Sequence, residues 1–150
     1  MKKAFILITA LASIFTFGCK RAEKTEVSAT TVNTADLAGT WKIQSLEKAG
    51  VQQQIALSDI TFEAKSEEVY SVSGNSGVNQ FFGDVTVKNG KLTAGDNMAS
   101  TKMAGAPEAM EFEDNFLACL IKADAVEVAG NTLKISSTEA ASVLTFVKAE

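Results

Sequence analysis

From Asp36 to the C-terminus, apolar and polar residues alternate in short runs separated by Gly and Asn. Thr40–Glu47 places Trp41 and Ile43 on one face, Asp59–Glu63 alternates Ile60 and Phe62, and Glu68–Val72 sets Val69 against Tyr70 and Val72. A period of two is the mark of a half-buried strand, because successive side chains leave opposite faces. Val85–Val87 and Lys91–Thr93 flank Lys88-Asn89-Gly90, and Asn-Gly suits the positive φ of a tight hairpin turn. A second hairpin is predicted from Val126–Val128 through Gly130-Asn131 into Leu133 and Ile135, with Val143–Lys148 as the last strand. Seven to eight short strands at this spacing predict an antiparallel, meander-like sheet, half-open and barrel-like.

One segment departs from this period. Pro107–Lys122 begins with Pro, which suits a first helical turn, and Glu108 follows at the positive end of the helix dipole. At 100° per residue, Phe112, Phe116, Leu117, Leu120 and Ile121 share one broad arc with Ala109 and Met110, which predicts an amphipathic helix covering the sheet. The opposite face carries Glu111, Asp114, Asn115 and Lys122, not the Lys/Arg-rich surface of a membrane-lying helix. The predicted fold class is therefore α+β and β-rich, with one helix near 107–122. Glu113 projects into the middle of the apolar arc, where a carboxylate needs a partner because unpaired burial of charge costs several kcal/mol.

The first 35 residues read differently. Met1-Lys2-Lys3 is basic, Ala4–Phe17 is an apolar run, and Gly18-Cys19 follows, the layout of a secretory leader. The run is shorter than the roughly 20 residues of a permanent transmembrane helix. Thr16-Phe17-Gly18-Cys19 resembles the lipobox of bacterial lipoprotein precursors, with Phe17 larger than usual and Thr16 in place of an aliphatic residue. That resemblance implies a signal peptide over 1–18, acylation of Cys19, and a membrane partner reached through that lipid. Several acyl chains at about 0.8 kcal/mol per buried CH₂ make a stable anchor. Residues 20–35 are polar and lack apolar periodicity, so 19–35 is expected to be a lipidated flexible tether spanning about 20–24 Å. The domain then occupies 36–150. Cys119, the other thiol, falls at the edge of the helix's apolar face and is expected to be buried and inert.

Composition excludes several chemistries. The chain of 150 residues has no histidine, which removes imidazole triads, His-ligated metals and His switches. Loss of the leader takes Lys2 and Lys3 but no acid, moving the formal charge from −4 to −6. That balance, with one Trp and one Tyr, argues against a nucleic-acid groove. Asp84, Asp96 and Asp124 are scattered, and no metal or cofactor site is expected. No nucleophile stands beside an evident base, so an enzyme is not expected.

Four separated motifs carry a resemblance. Leu37-Ala38-Gly39-Thr40-Trp41 opens the domain, and Gly74-x-Ser76-Gly77-Val78-Asn79-x-Phe81-x-Gly83 stands in its middle. Ala99-Ser100-Thr101-Lys102-Met103-Ala104 precedes the helix, which holds Met110-Glu111-x-Glu113. Order and spacing resemble the META domain, shared with the heat-shock protein HslJ, over about Asp36 to Val147. The resemblance implies a domain without established enzymatic activity, linked loosely to the bacterial envelope and stress. It directs attention to Trp41 as a core anchor, to Gly77 and Gly83 at turns or close backbone approaches, to Asn79 as a loop staple, and to Lys102, Met103 and Glu113. In many relatives cysteines stand at the positions of Val78 and Gly105 and are expected to pair. Here both are absent, which removes about 3 kcal/mol of loop constraint and leaves the region between them with lower expected local stability. Lys102 stands at the position of the family's Thr-Arg-Met arginine, and a structural Lys102–Glu113 pair is expected. The expected function is a noncatalytic, lipid-anchored envelope module that binds a partner or supports envelope integrity. The alternative is a lipocalin-like carrier of a small apolar ligand, since Gly39-Thr40-Trp41 fits the lipocalin opening. A continuous interior pocket would favour the carrier; a sheet sealed by the helix would favour the module.

Overall fold

The alternating segments do pair as strands. The computed structural model describes residues 34–150, so the expected leader, Cys19 and the tether up to residue 33 lie outside the described residues. In chain order the elements are α1 (Thr34–Leu37), β1 (Gly39–Lys48), β2 (Val51–Gln52), β3 (Asp59–Ala64), β4 (Val69–Asn75), β5 (Gln80–Lys88), β6 (Lys91–Ala94), β7 (Ala99–Ser100), α2 (Pro107–Ile121), β8 (Ala125–Ala129), β9 (Thr132–Ser137) and β10 (Ser142–Lys148). The main sheet runs β6-β5-β4-β3-β1-β10-β9-β8 and is antiparallel throughout, with β2 added to β1 and β7 to β5. These two-residue strands are too short to give a periodic signal.

The first and last long strands are neighbours, so the meander nearly closes on itself. Where the free edges of β6 and β8 approach, Val126 N–H donates to Gly90 O at 2.8 Å. Gly90 belongs to the Asn89-Gly90 turn, whose φ values of 52° and 74° are the positive angles its sequence requires. In β1 the register against β10 shifts between Ile43 and Ser45. One extra residue there reverses the side-chain alternation, so Trp41 and Leu46, five residues apart, both point inward and are fully buried.

An up-and-down barrel has two ends, and this one closes each differently. At one end lie the start of the described residues, the C-terminus and the β3–β4, β5–β6 and β8–β9 turns. Leu37 and Trp41 seal it: the indole Nε1 donates to Leu37 O at 2.9 Å, and Lys148 Nζ sits 5.2 Å from the ring centroid. At the other end α2 crosses between the loops 53–58, 75–79, 101–106 and 138–141. Phe112, Phe116 and Leu120 face inward, and Phe116 meets Phe81, Phe112 and Phe146 at ring separations of 5.5, 5.9 and 6.0 Å. The interior is thus filled with side chains and the sheet is sealed by the helix. A lipocalin-like ligand chamber would need the volume that these rings occupy.

The helical arc needs two corrections. Ile121, expected to face the core, is 51% exposed, because the chain turns away at Lys122 toward β8. Asn115, expected on the solvated face, is buried and accepts a hydrogen bond from Lys48 Nζ at 2.5 Å. Cys119 is fully buried with Sγ directed at Ile135 O and Ser142 O, and burial pushes its thiol above the ordinary range.

Candidate functional site

The helix-capped end brings together the motifs of the sequence's middle and its helix. Asn75, at the end of β4, starts a turn whose Gly77 N–H donates to Asn75 Oδ1 at 2.7 Å. Gly77 has φ 121°, and a Cβ there would stand 3.0 Å from Phe112 Cδ1 and 3.3 Å from Ala56 Cβ. Glycine therefore lets the turn adopt its path and lets α2 and the 53–58 loop close over it.

The turn's donors converge on Glu113, which is 5% exposed. Its Oε2 accepts from Ser76 Oγ (2.9 Å), Val78 N (3.2 Å) and Asn79 N (2.7 Å), while Oε1 accepts from Asn79 Nδ2 (2.7 Å). The expected Lys102–Glu113 pair is thereby corrected: neutral donors satisfy the carboxylate, and Lys102 Nζ lies 3.3 Å from Ser100 Oγ on the exposed surface. Burial raises the Glu113 pKa, but the four hydrogen bonds to the ionised form outweigh it and hold the carboxyl below the ordinary glutamate value.

Asn79 extends the network to a third segment. Its Nδ2 also donates to Met103 O at 3.0 Å, and its Oδ1 accepts from Met103 N and Thr101 Oγ1, both at 2.7 Å. One amide thus ties turn 75–79, loop 101–103 and helix α2 together, fixing the chain on both sides of the positions where relatives are expected to carry a disulfide. Those positions are adjacent: a Cβ on Gly105 would lie 3.4 Å from Val78 Cβ and 2.6 Å from its Cγ2. Gly83 lies within β5, not at a turn, where a Cβ would collide with the Met98 sulfur and stand 2.9 Å from its Cα. Trp41 closes the opposite end of the barrel. Met103 is held by its backbone while its side chain is 57% exposed. Reasoning from sequence missed Ser76 and Thr101 as members of this network. Both lie inside the quoted motifs, which is the signal that could have found them.

The network is a cradle around a carboxylate, with its hydrogen-bonding capacity turned inward. Several large apolar side chains face solvent at this end among charged ones such as Lys102, Glu108 and Glu111: Leu57 (95%), Met103 (57%), Phe82 (56%), Ile121 (51%) and Ile55 (43%) are exposed. Among the described residues, no group of three Cys, Asp or Glu side chains stands close enough to hold a metal ion.

Comparisons with known proteins agree with this architecture. An NMR structure of a protein from Burkholderia xenovorans matches with a TM-score of 0.62 at 22% identity, covering 77% of this chain and 86% of that one. A second NMR structure gives 0.59 at 24% identity, covering 78% and 95%. A crystal structure of a DUF4847-family protein from Bacteroides vulgatus gives 0.50 at 13% identity, covering 76% and 96%. At such identities the likeness is one of fold. The comparison with curated proteins found no match. The META domain model matches residues 35–150, and the chain belongs to the META domain family.

Proposed function

We propose that this protein is a noncatalytic binding module held beside a bacterial envelope membrane by lipid on Cys19, and that it meets its partner with the helix-capped end. The observation that carries this reading is polarity between the two ends of the barrel. The chain comes into the domain at the terminal end, where Lys148 Nζ reaches Asp36 O at 3.3 Å. Exposed Ile121, Ile55 and Met103 lie on or beside α2 at the opposite end. Nine residues of β5 at about 3.3 Å each, tilted as barrel strands are, separate the two ends by about 20 Å. A lipid on Cys19 would place the terminal end toward the head groups and leave the helix-capped end projecting into the envelope. The packed interior supports this reading over the lipocalin-like carrier.

Fractionation of cells making the full chain, with mass spectrometry of the mature N-terminus, tests the anchor. The expected result is an acylated Cys19 in the membrane fraction and release of a Cys19→Ala variant to the soluble envelope fraction. An unacylated mature N-terminus, or equal membrane retention of the variant, would overturn it.

A further inference from the structure

The barrel's seam is pinned at Val126–Gly90 and open at the helix-capped end, where β7 forms the edge. Antiparallel pairs alternate between those that exchange hydrogen bonds and those that do not. Thr101 N–H donates to Gln80 O at 2.9 Å, while Gln80 N–H donates to Thr101 Oγ1 at 3.2 Å, so the backbone groups of these two residues turn toward each other. Phe81 and Ser100 are the next pair inward, hence a non-bonded one. The backbone N–H and C=O of Ser100 therefore point away from β5, out of the sheet edge. They border a groove of about 350 Å³ lined by Phe81, Met98, Ser100, Lys102, Leu117 and Ile121. Its floor is apolar, half-exposed Ile121 forms its far wall, and Lys102 is its one charged lining residue.

We infer that β7 accepts an extended peptide segment of a partner protein by strand addition, with an apolar side chain seated on Leu117 and Ile121 and an acidic residue beside Lys102. Each element asks for the same occupant. The outward N–H and C=O of Ser100, on one edge of a strand, match the paired donor and acceptor of an extended chain and not a helix or an acyl tail, while the apolar floor takes its side chains. The lone ammonium, with Ser100 Oγ as its hydrogen-bond partner, selects the acid. Strand addition here would extend the sheet across the open half of the seam, between β7 and the C-terminal turn of α2. The inference deepens the proposed binding role, but its test is a solution measurement independent of the anchor. Loss of one therefore leaves the other standing.

A display library of random nonapeptides, selected on the full chain in detergent micelles, provides the probe. Enrichment of sequences alternating apolar residues with Asp or Glu is expected. The best peptide should shift the backbone amide resonances of residues 98–102 and 117–121. N-methylating its central amides, which leaves the protein untouched, should weaken binding at least tenfold. Ser100→Pro removes the outward N–H without breaking a bond to β5 and should do the same, and Lys102→Glu should exchange the acidic preference for a basic one. Failure to enrich alternating sequences would overturn the inference. So would resonance shifts elsewhere, or a peptide whose affinity ignores N-methylation.

Discussion

At the terminal end, Trp41 closes the barrel with an indole ring against Leu37, and the only polar demand, its N–H, is met four residues away. At the helix end, α2 closes it around a carboxylate whose donors are 34 to 37 residues away in sequence. The first closure is dominated by apolar burial and draws on neighbours in the chain. The second works only if three remote segments arrive together, because a buried charge short of its donors destabilises the fold. Apolar closure tolerates approximate geometry; polar closure specifies it.

Truncating each closure separates the two. Trp41→Ala should have the largest effect, a loss of about 4 kcal/mol from a large side chain removed in a packed interior, read as the midpoint of denaturant unfolding. Its cost should be the same at pH 4 and pH 7.

The second prediction reinforces the helix end. A Val78→Cys, Gly105→Cys pair should oxidise, since the implied Cβ–Cβ distance of 3.4 Å lies close to the disulfide range. Oxidised against reduced protein should differ by about 3 kcal/mol in stability. A bond that forms without raising the unfolding midpoint would mean that Asn79 already constrains this loop fully.

Glu113→Gln should cost about 2 kcal/mol, because its amide must face at least one of the donors now aimed at Glu113. Here pH matters. The folded pKa of Glu113 lies below its unfolded value, so its contribution is complete above the ordinary glutamate pKa of about 4.3 and is lost as pH falls through the folded value. The stability gap between wild type and variant should therefore narrow in acid, measured by unfolding from pH 7 down to pH 3. A gap that stays constant would assign the cost to packing.

Lys148→Ala should change least, by about 0.5–1 kcal/mol, through loss of the ammonium over Trp41. Thermal unfolding checks it.

These contrasts also explain what could be read beforehand. Eight strands and α2 were legible because their faces repeat with a period, and Trp41 because large apolar residues on such a face go inward. Glu113 was legible as an anomaly: the helical wheel placed a carboxylate on an apolar arc. Its partner was not. A wheel fixes direction on one element and says nothing about which loop lies opposite, so the nearest motif cation, Lys102, was the natural expectation. Neutral turn donors solved the problem instead. Ile121 and Asn115 exchanged their expected environments for a related reason, since periodicity cannot tell where the chain turns away toward β8 or where Lys48 reaches.

The sequence alone determined the strand and helix periods, the N-terminal layout, the absence of imidazole chemistry and the membership implied by its motifs, because each is a property of near neighbours along the chain. Only the tertiary structure decided that the barrel is sealed at both ends, that Asn79 and Ser76 neutralise the demands of Glu113, and that β7 leaves an edge beside a groove. Those depend on the closure of the sheet, which sets residues dozens of positions apart within hydrogen-bonding distance.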